Sequence, residues 1–334
     1  MKRLLLLVPA VVFGVAAQTV SLKEVDPVRM PSEVDSNSPA FWRDGRFYLV
    51  NSTGEGPKLS IGPTQFELSE PEAAPIEREI DWPVWMEAVW KDADGVVFGW
   101  YHQEHEYVCG EQRPTMPQIG AALSFDGGRS FRDLGVILAS SAPIDCSSKN
   151  GYFAGGHGDF SVVPDRDGKF LYFLFSNYGG PVETQGVAIA RMAVEDRFAP
   201  SGKVWKYFNN GWTEPGLGGQ LSPIFPVVKS WQDADSDAFW GPSVHWNLFL
   251  QTYVILLNHA CCEPGWPQEG VYVTFNADLD KPYAWTTPKK ILDGVSWYPQ
   301  VLGLGPGETD SIAGEKARLY VYGESFWEIT FGKP

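Results

Sequence analysis

Phe160-Ser161-Val162-Val163-Pro164-Asp165-Arg166-Asp167-Gly168-Lys169-Phe170-Leu171-Tyr172-Phe173-Leu174 reads as a short strand, a polar turn and an aromatic-rich strand. β-Branched and aromatic residues favour extended backbone, whereas Asp and Gly between them supply turn chemistry. Four other segments have the same shape. Pro39-Ala40-Phe41-Trp42 precedes Arg46-Phe47-Tyr48-Leu49-Val50, and Glu87-Ala88-Val89-Trp90 precedes Val96-Val97-Phe98-Gly99-Trp100. Pro242-Ser243-Val244-His245-Trp246 precedes Tyr253-Val254-Ile255-Leu256-Leu257, and Tyr298-Pro299-Gln300-Val301-Leu302 precedes Arg318-Leu319-Tyr320-Val321-Tyr322. Further candidate strands trail most of them, at residues 119–124, 186–192 and 270–275.

Five recurrences over about 300 residues give a period of roughly 60, which suits blades with long loops. The pattern predicts an all-β fold, a five-bladed β-propeller with four-stranded antiparallel blades. A sandwich would space its strands more evenly, about 8–12 residues apart. Residues 69–80 and 211–237 then read as loops within or between blades. The first strand of each blade lines the channel, so polar residues at the starts of those strands converge on one mouth.

Lys2 and Arg3, the apolar run 4–12 and the small residues Val15-Ala16-Ala17 form an export-signal pattern. The run is too short to cross a bilayer, which takes about 20 apolar residues. We therefore expect a signal peptide over 1–17 and a single propeller domain over 18–334, secreted or periplasmic. A formal charge of −15 opposes docking to nucleic acid or anionic lipid and is compatible with neutral sugar. The expected partner is a carbohydrate, the expected state a monomer. Four cysteines in an exported chain suggest disulfides. Cys109 and Cys146 lie in polar, Gly/Pro-rich stretches and are paired on that ground, which leaves Cys261 and Cys262 as a vicinal bridge or two thiols. No CxxC pair and no HExxH motif marks a zinc site.

Ser124-Phe125-Asp126-Gly127-Gly128-Arg129-Ser130-Phe131 matches the Asp-box pattern, a hairpin-turn motif. In this it resembles sialidases and related propeller hydrolases, and it speaks for the fold rather than for catalysis. Gly158-Asp159-Phe160 with the turn that follows resembles the third-blade segment of glycoside hydrolase family 43 and its five-bladed relatives. Asp35-Ser36-Asn37-Ser38-Pro39-Ala40-Phe41-Trp42 looks like that family's opening blade, and Trp240-Gly241-Pro242-Ser243-Val244 like its fourth. The resemblance implies a glycosidase in which Asp159 tunes and orients the general acid. Aligned through Pro39 and Arg43, the family's base falls on Ser38; aligned through Gly241-Pro242, its acid falls on Trp240. One of three catalytic carboxylates is in place. Some relatives use a His as acid, and many hold a Ca²⁺ in the channel, which His157 or His245 could help place through water. No other cofactor is implied.

Acid–base hydrolysis of a glycoside needs two carboxyl groups with different protonation. Asp35 is the candidate base, three residues before the position of Ser38. Glu87 is a candidate acid, because its neighbours Trp82, Trp85 and Trp90 make an apolar setting that raises a carboxyl pKa. His245, on the fourth inner strand, is the alternative acid. His157 follows two glycines that leave the backbone approachable, and is a candidate substrate-binding residue. His102 and Glu104 are read as loop-facing. Among the 14 tryptophans, Trp240 is selected with Tyr298 as platforms for sugar rings. The primary expectation is a secreted glycoside hydrolase, with a non-catalytic carbohydrate-binding propeller and a sialidase-like hydrolase as alternatives. The last would need three arginines around a carboxylate.

Overall fold

Each of the five strand–turn–strand segments forms the inner half of one blade. In the computed structural model, which describes residues 18–79, 82–111 and 113–334, these blades close a ring. Blade I is Ala40–Arg43, Arg46–Thr53, Gly56–Gly62 and Glu72–Ala73. Blade II runs outward from Val84–Lys91 through Val97–His105 and Met116–Ser124 to Phe131–Leu138. Blade III begins with His157–Pro164 and Phe170–Asn177, and blade IV with Ala238–Asn247 and Thr252–Ala260. In blade V, Gln300–Gly303, Lys316–Val321 and Glu324–Gly332 are completed by Thr19–Arg29 from the other end of the chain. The expected signal peptide lies outside the described residues.

Blades I and V have the expected four strands, and the other three carry more. The two stretches read as loops supply three of the extra pairings, because a blade's exposed edge is a row of free backbone groups. Ile76–Glu77 runs parallel to the last strand of blade II. Gly211–Pro215 adds a fifth strand to blade III, and Phe225–Pro226 pairs with Gly186–Ala193. Ile312–Ala313 runs parallel to the inner strand of blade IV.

The apolar residues of each strand are buried between neighbouring blades rather than in one central core. Phe98, Trp100, Phe160 and Phe173 pack between blades II and III; Tyr172, Leu174, Val244 and Ile255 pack between III and IV. Val254, Leu256, Leu319 and Phe331 fill the space between IV and V, and Phe47, Leu49, Leu302 and Tyr320 that between V and I. A sixth cluster stands apart at one mouth of the channel. It is aromatic: Phe153, Tyr178, Trp231, Trp240, Trp266 and Tyr298.

Side chains bonded to backbone tie the inner strands across the axis. Asn37 Nδ2 donates to the carbonyls of Phe160 at 3.2 Å and Pro242 at 3.4 Å, linking the lead-in to blade I with blades III and IV. Gln300 of blade V exchanges two bonds with the Ser38 backbone, at 2.6 and 2.9 Å. Ser38 is fully buried and accepts from Asn51, so it serves this junction. Cys109 and Cys146 are bonded, joining the loop of blade II to the segment before blade III. Cys261 and Cys262 form the vicinal bridge.

Asn37→Ala removes both of these buried bonds. The expected loss is about 2 kcal/mol of unfolding free energy with the slope unchanged, measured by urea denaturation. A loss within experimental error would show that the bridge is dispensable.

Candidate active site

Three inner strands break register at the same place. Blade II does so between Met86 and Ala88, blade III between Gly158 and Phe160, and blade IV between Trp240 and Ser243. A bulge of this kind re-aims the extra residue. On blades II and III that residue is Glu87 and Asp159, and on blade IV the break falls at Gly241-Pro242. Asp159 adopts φ +39°, a region that non-glycine residues seldom occupy. The two acids therefore face each other from adjacent blades, their oxygens and His102 all within 4.8 Å of one another.

Glu87 is the inner member of the pair. Its Oε2 accepts the Phe160 backbone N–H at 2.7 Å, and its Oε1 lies 3.0 Å from His102 Nδ1. His102 is not loop-facing: it is buried on the second strand of blade II, because pairing with Ile119 turns it inward beside Glu87. Its Nε2 is 3.8 Å from Glu104 Oε1, and Glu104 accepts from Thr115 Oγ1 at 2.8 Å. Asp159 accepts a hydrogen bond from the Tyr178 hydroxyl.

Above this cluster opens a cavity of about 470 Å³. Asp35, Asp159 and Glu104 present carboxyl groups to it, and Arg113, Thr115 and Glu106 line its polar side. Trp85, Trp240, Trp266, Trp297, Tyr152, Phe153 and Tyr298 make the remaining wall. Trp85 reaches Asp35 with its indole N–H, and the indole N–H of Trp266 is buried with no hydrogen-bond partner among the described residues. Trp240 donates to Gln268 Oε1 at 3.1 Å and is committed to the wall. Trp266 and Tyr298 hold φ of +54° and +57°. Backbone strain of this sort persists only where the surroundings over-determine it, and it clusters at functional sites.

Of the residues singled out from sequence, Asp35, Asp159, Trp240 and Tyr298 line one cavity, and Glu87 supports it from behind. His157 and His245 lie elsewhere. His157 packs on Phe175 with a 4.8 Å centroid separation, and burial drives its pKa well down. His245 packs against Phe331 between blades IV and V, with its pKa lowered to about 3 by burial. Strand alternation explains both: these positions point into the inter-blade cores. Glu104, Tyr178 and Trp85 were not selected from sequence; the bulge at Glu87 breaks the alternation that would have related Trp85 to it.

Electrostatics separates the acids by role. Burial first, and then the Glu87 charge, push Asp159 up to about 7. Glu87 is raised well above its ordinary value, also first by burial. Two carboxyls this close in a dry site cannot both ionise readily, so the pair keeps a proton at neutral pH. Asp35 is raised by burial, against which Trp85 and His102 act. Asp35 is only half-buried and remains the most wetted of these acids.

A Ca²⁺ takes six to eight oxygen ligands, and the buried trio offers few. Both Glu87 oxygens and one of Asp159 are already engaged in hydrogen bonds. Neither His157 nor His245 belongs to a cluster of candidate ligands among the described residues. The residues present do not fit this ion. Arg113 is the one arginine on the cavity wall among the described residues, so the three-arginine clamp of a sialidase is not formed.

Because folded Asp159 holds its proton to about 7 and an unfolded Asp releases it near 3.8, the unfolded state binds fewer protons between these values. Stability contributed by the protonated acid is complete below that window and is lost as pH rises through it. Asp310, also pushed up to about 7 by burial, acts in the same range. Asp159→Asn is expected to reduce the fall in melting temperature between pH 4 and 8 and to leave Asp310's share. Parallel wild-type and variant profiles would refute the assignment.

No protein-family model matches the chain, and no curated protein matches it by sequence. Solved structures do match. The endo-arabinase of Bacteroides thetaiotaomicron aligns with a TM-score of 0.56 at 11% identity, over 91% of this chain and 95% of that one. A thermostable family-43 glycoside hydrolase aligns at 0.52 with 12% identity, over 88% of each chain. The exo-β-1,3-galactanase of Phanerochaete chrysosporium aligns at 0.51 with 11% identity, over 92% of this chain and 64% of that one. The chain thus shares the five-bladed propeller fold of the family-43 glycoside hydrolases that its blade III segment resembles.

Proposed function

We propose that the cavity hydrolyses a glycosidic bond in a neutral oligo- or polysaccharide, with Asp159 as general acid and Asp35 as general base. The observation that carries this reading is the convergence of two acids in unlike environments on one aromatic-walled cavity. Asp159 is dry, backed by a second carboxyl, and protonated near neutral pH. Asp35 is wetter and stands at the cavity's edge.

In the proposed reaction the Asp159 proton passes to the leaving-group oxygen as the bond to the anomeric carbon breaks. A water loses its proton to Asp35 and gives its oxygen to that carbon. Glu87, expected from sequence to be the acid, is closed off behind Asp159 and raises its pKa; the expected roles of acid and modulator are exchanged. Tyr178 fixes the orientation of Asp159. Trp297 and Tyr152, the half-buried aromatics of the wall, offer ring faces to the apolar faces of sugars. The structural neighbours named above as an endo-arabinase and an exo-β-1,3-galactanase make arabinan and galactan the first substrates to try.

Hydrolysis of linear arabinan and β-1,3-galactan is the direct test. Asp159→Asn and Asp35→Asn are each expected to lower kcat by about 10²–10⁴-fold. Glu87→Gln removes a charge that raises Asp159, so the alkaline limb of kcat/KM moves down by about one pH unit. Polysaccharide binding by the wild type without turnover would remove the hydrolase and leave a carbohydrate-binding propeller. We also infer export as a single domain over 18–334, resting on the pattern in residues 1–17. Mass spectrometry of the protein recovered outside the cytoplasm is expected to place its first residue at Gln18, and an intact Met1 would overturn this.

A further inference from the structure

The cavity does not end at Asp35. That residue also lines a second cavity of about 760 Å³, whose far wall includes Tyr322 and Glu324. Those two line in turn a third, of about 300 Å³, that reaches Phe326 and Trp327. The three adjoin at these shared residues and form a line of recesses, a groove leading from the active-site cavity onto blade V. Tyr298 in the cavity and Tyr322 in the groove lie near parallel, 15° between planes and 6.4 Å between centroids. Tyr322 is 47% exposed and Phe326 40%.

Core packing does not account for Tyr322. It is the first residue of the two-residue turn Tyr322-Gly323, between Lys316–Val321 and Glu324–Gly332, with φ +52° and +73°. Such a turn favours Asn, Asp or Gly, and a bulky side chain there is strained. The turn is anchored on both sides. Tyr322 N donates to the Trp297 carbonyl and Met30 N to the Gly323 carbonyl, each at 2.9 Å. A Cβ on Gly323 would stand 2.6 Å from Val34 Cγ2. An exposed ring is therefore held at a costly backbone position by the loop that carries Tyr298 and the segment that carries Asp35.

We propose that this groove, from Asp35 past Tyr322 to Phe326 and Trp327, binds successive sugar units of a neutral polysaccharide, so that the substrate lies on both sides of Asp35. Exposed aromatic faces at intervals suit the apolar faces of pyranose or furanose rings. Glu33, Asp35 and Glu324 give the groove negative charge, with Arg29 already paired to Glu324 at 3.0 Å. An acidic polysaccharide would be repelled. The proposal rests on the hydrolase reading of Asp35 and Asp159 for its direction, and on the groove itself for its ligand.

Tyr322→Asn removes the ring and places a residue the turn prefers, so the variant is expected to melt no lower than the wild type. Two readouts are made on wild type and variant: retention in gels containing linear arabinan or β-1,3-galactan, and kcat/KM on di- and hexasaccharides of each. The wild type is expected to gain in kcat/KM with chain length. Tyr322→Asn is expected to lose about five- to ten-fold of that gain and to migrate faster through the polysaccharide gel. Retention lost with no turnover by the wild type would support the groove and sink the hydrolase. Turnover with an unaltered chain-length dependence in the variant would overturn the groove and leave the hydrolase standing. A wild type that neither gel retards, or that shows no gain with chain length, also overturns the groove.

Discussion

The bond from the Phe160 N–H to Glu87 Oε2 joins two blades at the point where both inner strands bulge. A bulge frees a backbone donor from its ladder, and in the dry centre of the ring that donor needs an acceptor. A carboxylate on the neighbouring blade supplies it. The same carboxylate then repels charge on Asp159 and meets His102 on its other oxygen. One structural requirement thus brings an acid into the interior, and the interior holds a proton on its neighbour. Fold and chemistry are not separable at this site.

The mouth follows from the same economy. Aromatic residues form the sixth apolar cluster, above the inner strands and outside the five inter-blade cores. Two of its members, Trp266 and Tyr298, and the adjoining Asp159 stand at positive φ. Backbone strain and buried carboxyl groups both oppose stability, and here they coincide. The packing between blades is ample enough to carry them.

The five strand pairs were legible in the sequence because each is a local pattern: alternating apolar residues on either side of a turn signal. Asp159, Asp35, Trp240 and Tyr298 were legible because they stand where such strands begin. What stayed hidden depends on partners distant in the chain. His102 reads as a loop residue until its pairing with Ile119 turns it toward Glu87. His157 and His245 sit near strand starts or on them, and only the packing of Phe175 and Phe331 shows that they face the cores. That Glu87 lies behind Asp159 could not be read at all, since burial and bulges set it. Thr19–Arg29 gave little sign of its role, because an edge strand half exposed to water carries no strong apolar alternation.

That edge strand has a consequence for how the molecule is made. Thr19 pairs with Gly332 and Arg29 with Glu324, so the earliest-made strand of the ring waits for the latest. Blades I to IV can collapse in order as they emerge from the ribosome, each on the one before. Blade V and the junctions on either side of it form only once nearly the whole chain is available, and such long loop closures are slow. Until then the ring is an open crescent with an unpaired edge at each end.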